Sequence, residues 1–187
     1  MKMGKIIFTA VAVAACTFIA GQAFARSDVY FKAPIKFRGT GCPAGSYTVS
    51  GEGTDTMTIL FEKYDAAKPK ENAASGMMRT GCSFVVPVSV PQGFQVSNLT
   101  SDWRGYAEGR TKLRREYFFA GQRGPSKTSS PRGDYVERDN LMHATWSKCG
   151  RGEVPMRVNS SIRAEGNPSY ITLDKMMNFR ITWRKCR

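Results

Sequence analysis

The sequence predicts an all-β chain: a single antiparallel, β-sandwich-like domain with two disulfides. Three observations carry that prediction. Short runs alternate apolar and polar residues with a period of two, as half-buried strands do. Clusters of Gly, Pro, Ser, Asn and Asp separate these runs, and no stretch has the periodicity of a long amphipathic helix. Four cysteines, Cys42, Cys82, Cys149 and Cys186, follow an export-like leader, and an even count in an exported chain implies two bridges.

The leader occupies residues 1–25. Lys2 and Lys5 precede an apolar run from Ile6 to Ala20, and Ala23-Phe24-Ala25 is a small-x-small cleavage site. The apolar run is shorter than the roughly 20 residues that cross a bilayer, and no later segment is long enough. A secreted or periplasmic product cut near Ala25 is expected. Val13-Ala14-Ala15-Cys16 loosely fits a lipidation signal. Against it, the apolar run continues past Cys16, where a lipid-anchored start leads into a polar tether. Residues 26–39 are expected as an N-terminal extension, and 40–187 as the domain.

Thr56 to Tyr64 places Met57, Ile59 and Phe61 on one side of a strand. Ser83 to Val90 does the same with Phe84, Val86, Val88 and Val90, and Pro87 argues for an edge or a bulge, since it has no N–H to donate. Gly93 to Leu99 and Tyr106-Ala107 are expected to flank a turn at Ser101-Asp102. Lys112 to Ala120 spaces Leu113, Tyr117 and Phe119 evenly, and Met156 to Ala164 alternates most regularly. Asn178 to Cys186 sets Phe179, Ile181 and Trp183 opposite Arg180, Thr182 and Arg184. Turn-rich segments lie at Gly51–Asp55, Lys68–Gly76, Gly121–Asp134 and Gly166–Ser169. A short helical turn fits Asp65 to Ala74.

The last two runs are expected to pair with each other. That register brings Cys186 back towards the start of the preceding strand, within reach of Cys149 across Gly150-Arg151-Gly152. Cys149–Cys186 is therefore favoured, and Cys42–Cys82 follows by elimination. Closing a loop of about 40 residues stabilises a fold by about 4 kcal/mol in the chain-entropy model. The cysteines are too far apart for C-x-x-C pairs, and a lone His143 completes no usual zinc set, so neither a metal nor another cofactor is expected.

Several motifs then add up. They are Gly39-Thr40-Gly41-Cys42-Pro43-Ala44-Gly45, Leu60-Phe61-Glu62-Lys63-Tyr64, Arg79-Thr80-Gly81-Cys82 and Pro91-Gln92-Gly93-Phe94. Asp102-Trp103-Arg104-Gly105-Tyr106-Ala107, Tyr117-Phe118-Phe119-Ala120-Gly121, Trp146-Ser147-Lys148-Cys149-Gly150 and Trp183-Arg184-Lys185-Cys186 complete the set. In this order the chain resembles the secreted family catalogued as domain of unknown function 4360, over about Thr40 to Cys186. The resemblance implies a β-rich exported fold and brings no catalytic residues.

Charge is the remaining signal. The chain carries 28 Lys plus Arg against 15 Asp plus Glu, a formal +13. Losing the two leader lysines leaves the mature chain at +11. Such an excess attracts polyanions over about a Debye length, roughly 8–10 Å. Arg104, Arg110, Lys112 and Arg115 contribute, and the residues expected to bind are Arg114, Arg157, Arg163, Arg180 and Arg184. The expected partner is an anionic polysaccharide or a cell-envelope polyanion. Trp103, Tyr106, Tyr117, Trp146 and Trp183 are candidates for a sugar-stacking platform, although strand packing accounts for them as well.

Catalytic signals are weak, and no catalytic residue is assigned. Chemistry needing two histidines is excluded by a single His. His143 and Ser147 lack a nucleophile elbow. Asp102, Arg104 and Tyr106 fit a bend around Gly105 better than an active site, and the other acids show no paired spacing. Arg132-Gly133-Asp134 matches an adhesion tripeptide in a loop, and Asn98-Leu99-Thr100 and Asn159-Ser160-Ser161 are sequons. A non-catalytic binder of polyanions is the first expectation. A secreted glycan-acting enzyme with an unlocated carboxylate site, or a secreted inhibitor or effector, are the alternatives.

Overall fold

A computed structural model describes residues 28–142, 145–150 and 152–186. The expected leader and cleavage site, Cys16 and His143 lie outside the described residues. The strands, in chain order, are β1 (Tyr30–Phe31), β2 (Lys36–Arg38), β3 (Tyr47–Ser50), β4 (Thr56–Phe61), β5 (Asp65–Lys68), β6 (Arg79–Val90) and β7 (Phe94–Glu108). They continue with β8 (Thr111–Phe119), β9 (Ser126–Ser129), β10 (Gly133–Asn140), β11 (Gly152–Ala164), β12 (Ser169–Thr172) and β13 (Lys175–Lys185). Of the segment Asp65 to Ala74, expected as a short helical turn, the first part is strand β5 and only Lys70–Asn72 forms a 3₁₀ turn.

Two antiparallel sheets face each other. The first runs β1-β6-β11-β8-β9, with β2 beside β1 on the flank of β6. The second runs β3-β4-β13-β7-β12-β5, with β10 on the opposite flank of β7. Period-two alternation explains the layering. β6, β8 and β11 turn Phe84, Val86, Leu113, Tyr117, Val158 and Ile162 inward, and all are buried. Met57, Ile59, Trp103, Met176 and Phe179 meet them from the second sheet. Phe179 stacks on Phe31, with centroids 5.6 Å apart. Full burial of side chains this size stabilises by about 1.5–3 kcal/mol each.

The topology corrects three expectations. β11 and β13 do not pair: β11 lies between β6 and β8, and β13 between β4 and β7. No turn occurs at Ser101-Asp102, because both residues are buried within the continuous strand β7. Pro87 lies in a central strand, not at an edge. Its carbonyl accepts from the Lys32 N–H at 2.8 Å, so its nitrogen also faces the flank where β1 has ended and β2 has not begun. Residues 30–38 supply two strands of the first sheet, and Phe31 enters the core.

Disulfides join Cys42 to Cys82 and Cys149 to Cys186. The second is closed by a route other than strand pairing. The Gly150 N–H donates to the Phe94 carbonyl and the Cys186 N–H to the Gly93 carbonyl, both at 2.7 Å. The start of β7 thus holds both cysteines in place.

Candidate functional site

The outer face of the first sheet is built by the residues that alternate with its core. In register across it, Arg79 lies opposite Arg163, which lies opposite Lys112. The next row is Gly81, Ser161 and Arg114, followed by Ser83, Asn159 and Glu116, then Val85, Arg157 and Phe118. β2 adds Lys36 beside Val85 and Arg38 beside Ser83. The arginines and lysines of this face are all exposed. Among the described residues Arg38, Arg79, Arg157 and Arg163 have no carboxylate within ion-pair distance. Lys112 pairs with Glu165 at 3.3 Å, and Arg114 pairs with Glu116. Like charges in adjacent strands repel, so the packing of cations here is not explained by mutual stabilisation.

A cleft of about 450 Å³ opens in the middle of this face. Arg38, Arg79 and Arg114 surround it, and Thr40, Ser83, Asn159 and Ser161 add hydroxyl and amide groups. The Cys42–Cys82 bridge shapes one wall. It ties the loop after β2 to β6, where the Gly41 N–H donates to the Gly81 carbonyl at 2.9 Å and the Gly81 N–H to Thr40 Oγ1 at 3.2 Å. Gly39 allows this close approach. Its φ is +145°, and a Cβ there would lie 2.1 Å from the Gly81 oxygen. The arrangement suits a negatively charged ligand: three separated cations against one carboxylate, Glu116, which Arg114 already pairs, with neutral donors between them and glycines at positions 39 and 81.

Of the expected binding residues, Arg114, Arg157 and Arg163 share this face. Arg180 and Arg184 do not, because β13 belongs to the second sheet. Arg184 lies over the Trp146 ring at 3.9 Å, and its Nε donates to Gln95. Lys36, Arg38 and Arg79 were not singled out by sequence. Their signal was proximity to the paired cysteines: Arg38 and Arg79 stand a few residues ahead of Cys42 and Cys82.

Arg115 points the other way and is 2% exposed. It forms a two-pronged ion pair with Asp139 of β10, Nε to Oδ2 at 2.8 Å and Nη2 to Oδ1 at 2.9 Å. The Tyr117 hydroxyl also donates to Asp139 Oδ2 at 2.6 Å, and Trp103 Nε1 donates to the Tyr117 oxygen at 2.6 Å. This chain crosses from one sheet to the other. Burial disfavours the Arg115 charge, but the hydrogen bonds and charge of Asp139 outweigh it and raise its pKa. Burial, reinforced by Asp139, raises the Tyr117 phenol.

The remaining candidates are dispersed. Of the expected aromatics, Trp103 and Tyr117 are core residues, Tyr106 and Trp183 are exposed, and the Trp146 ring is covered by Arg184. Gly105 is not a bend: it lies in β7, where a Cβ would meet the Thr172 oxygen at 2.2 Å. Asp102 pairs with Arg138 and accepts from Asn178, and the Arg138 hydrogen bond in particular lowers its pKa. The other buried acid, Asp65, accepts from the Ala74 and Ser75 N–H groups. Asn98 of the first sequon is buried, and Asn159 of the second is half-buried in the cleft. No group of three or more His, Cys, Asp or Glu among the described residues is arranged to hold a metal ion. No helix among them is long and apolar enough to cross a membrane.

The family model described as domain of unknown function (DUF4360) matches residues 33–186. A protein of Arthroderma benhamiae (strain ATCC MYA-4681 / CBS 112371), named only as an uncharacterized secreted protein, is 30% identical over 146 residues. The match covers 69% of this chain and 57% of the relative, so the chain spans little more than half of that relative's length. Among solved structures, TmCBM61 in complex with β-1,4-galactotriose is similar at a TM-score of 0.39 and 12% identity, over 81% of this chain and 90% of that one. The enzymatically active domain of bacteriophage CBA120 tailspike protein 4 is similar at 0.31 and 9% identity, over 80% and 19%. Likenesses at that level carry no weight for function.

Proposed function

The chain belongs to the family described as domain of unknown function (DUF4360), and we propose that it is an exported, non-catalytic protein that binds anionic glycans through the outer face of its first sheet. One observation carries the proposal: Arg38, Arg79, Arg157 and Arg163 are exposed on one face, and no carboxylate among the described residues pairs with them. Export is supported by the leader-like residues 1–25, by two disulfides and by a relative whose name calls it secreted. Buried Asp65, Asp102 and Asp139 are each committed to internal partners, which favours binding over acid–base chemistry.

Salt-gradient elution from immobilised heparin tests this. The wild type is expected to elute late, and the combined variant Arg79→Gln, Arg157→Gln, Arg163→Gln substantially earlier. The variant Arg180→Gln, Arg184→Gln also removes positive charge, but from the other sheet, and is expected to elute close to wild type. If this second variant shifts as much per charge as the first, net charge alone drives retention and the face is not a site.

A further inference from the structure

We infer that the basic face is a continuous groove for an extended segment of a linear acidic polysaccharide, not a pocket for one isolated anion. The inference rests on the reading of this face as a polyanion site and specifies the shape of what it takes. The central cleft shares Arg38, Ser83 and Asn159 with a neighbouring depression of about 330 Å³ that reaches Lys36 and Arg157. In the other direction it shares Arg79 with one of about 710 Å³ that reaches Lys68, Arg110 and Arg163. The three depressions therefore form one track, and β6 sets its direction.

Strand geometry gives the track its scale. Lys36 lies in register with residue 85 of β6, Arg38 with 83, Arg114 with 81 through Ser161, and Arg163 with 79. At about 3.3–3.4 Å per residue, rows that carry a cation recur roughly every 7 Å along β6 over about 20 Å, with the cations on either side of that strand. A single compact anion engages one or two of these rows. A flexible chain bearing carboxylates or sulfates engages all of them, and each further contact becomes intramolecular once the first is made.

The lining favours a glycan over single-stranded nucleic acid. Nucleic-acid channels combine a basic track with exposed aromatic rings on which bases stack. Here Phe84 is 1% exposed and Phe37 is stacked on Tyr47 at 3.8 Å, so neither ring that lines the depressions is open for a base to stack on, and Phe118, in the Arg157 row, is a single half-buried ring and not a series. Ser83, Ser161 and Asn159 instead present groups that hydrogen-bond hydroxyls. Glu116 lies midway and pairs with Arg114. A chain that occupies the whole track must displace or tolerate this acid, which makes Glu116 a local brake on binding.

Titration with size-defined heparin oligosaccharides tests the groove. Affinity should rise about tenfold or more from the disaccharide to the fragment that spans about 20 Å, and then level off. Arg79→Gln, at the junction of two depressions, should weaken the long fragment several-fold and the disaccharide little. Glu116→Gln should tighten the long fragment, an effect opposite in sign to general structural damage. Equal affinity for short and long fragments, or long-fragment binding unmoved by Arg79→Gln, overturns the groove. Absence of binding to any fragment overturns the polyanion site beneath it. Tighter binding of an oligothymidylate of matched length overturns the choice of a glycan.

Discussion

Arg114 and Arg115 are neighbours in β8 and occupy opposite environments. Arg114 faces water at the rim of the cleft, and its partner is the half-exposed Glu116. Arg115 faces the core, 2% exposed, and is clamped by Asp139 with Ser129 and Glu137 nearby. The difference comes from strand periodicity alone, since successive side chains point to opposite faces. It separates two uses of one residue type. The buried Arg115 is partnered by Asp139 and Ser129, and its pair with Asp139 ties the two sheets together. Exposed charge on the first sheet is in excess of its partners and is therefore available to a ligand.

The sharpest way to break this division is Asp139→Ala. It leaves Arg115 buried without its carboxylate and removes the acceptor of the Tyr117 hydroxyl. A loss of about 3–5 kcal/mol is expected in urea unfolding, the usual cost of breaking a buried pair from one side. Heparin elution of the molecules that remain folded should not change, because Asp139 lies on the inner side. Earlier elution of the folded variant would mean that the two regions are coupled.

The outer arginines should behave in the opposite way. Replacing Arg79, Arg157 and Arg163 by Gln should leave the unfolding free energy in urea unchanged or raise it by less than about 1 kcal/mol, as repulsion on an exposed face is relieved. The same variant should flatten the dependence of heparin affinity on salt, by about one unit of logarithmic slope for each arginine that contacts the polymer. A large stability loss would place these arginines in the fold and not in a binding site.

How far the sequence foretold this division follows from how local each signal is. Alternation in Ser83–Val90, Lys112–Ala120 and Met156–Ala164 assigned inner and outer sides correctly, because the period is a property of each strand by itself. Which strands lie side by side is non-local, and there the alternating arginines of β11 and β13 misled. They belong to different sheets although both alternate well. β7 was hidden for a related reason. Ser101, Asp102 and Gly105 are turn-type residues, but Arg138, Asn178, Thr172 and Tyr135 satisfy or crowd them from distant parts of the chain. Arg115 is expected among the surface cations although the period of Lys112–Ala120 puts it on the side of Leu113 and Tyr117; what nothing local announces is the carboxylate of Asp139 opposite it. The expected Cys42–Cys82 bridge already brings the segments of Arg38 and Arg79 together, but that β2 and β6 pair beside it and turn both arginines to one face is non-local.

Asp102 lies between the two extremes, and pH offers the smallest but most specific test. Its carboxyl is 1% exposed on the outer side of the second sheet, yet its partner Arg138 reaches solvent. The Arg138 hydrogen bond holds the Asp102 pKa below the ordinary carboxylate range; burial opposes this, and Asn178 assists it. A carboxyl whose pKa is depressed on folding stabilises above its unfolded value, about 3.9, and that contribution is lost as pH falls through the folded value. Asp102→Asn should therefore lower the urea midpoint at pH 6, with the difference shrinking below about pH 4 as the wild-type carboxyl protonates. Arg138→Ala should show the same convergence at acid pH, since it removes the cation that depresses the carboxyl. A constant gap between wild type and Asp102→Asn from pH 6 down to pH 2 would instead assign Asp102 a packing role independent of its charge.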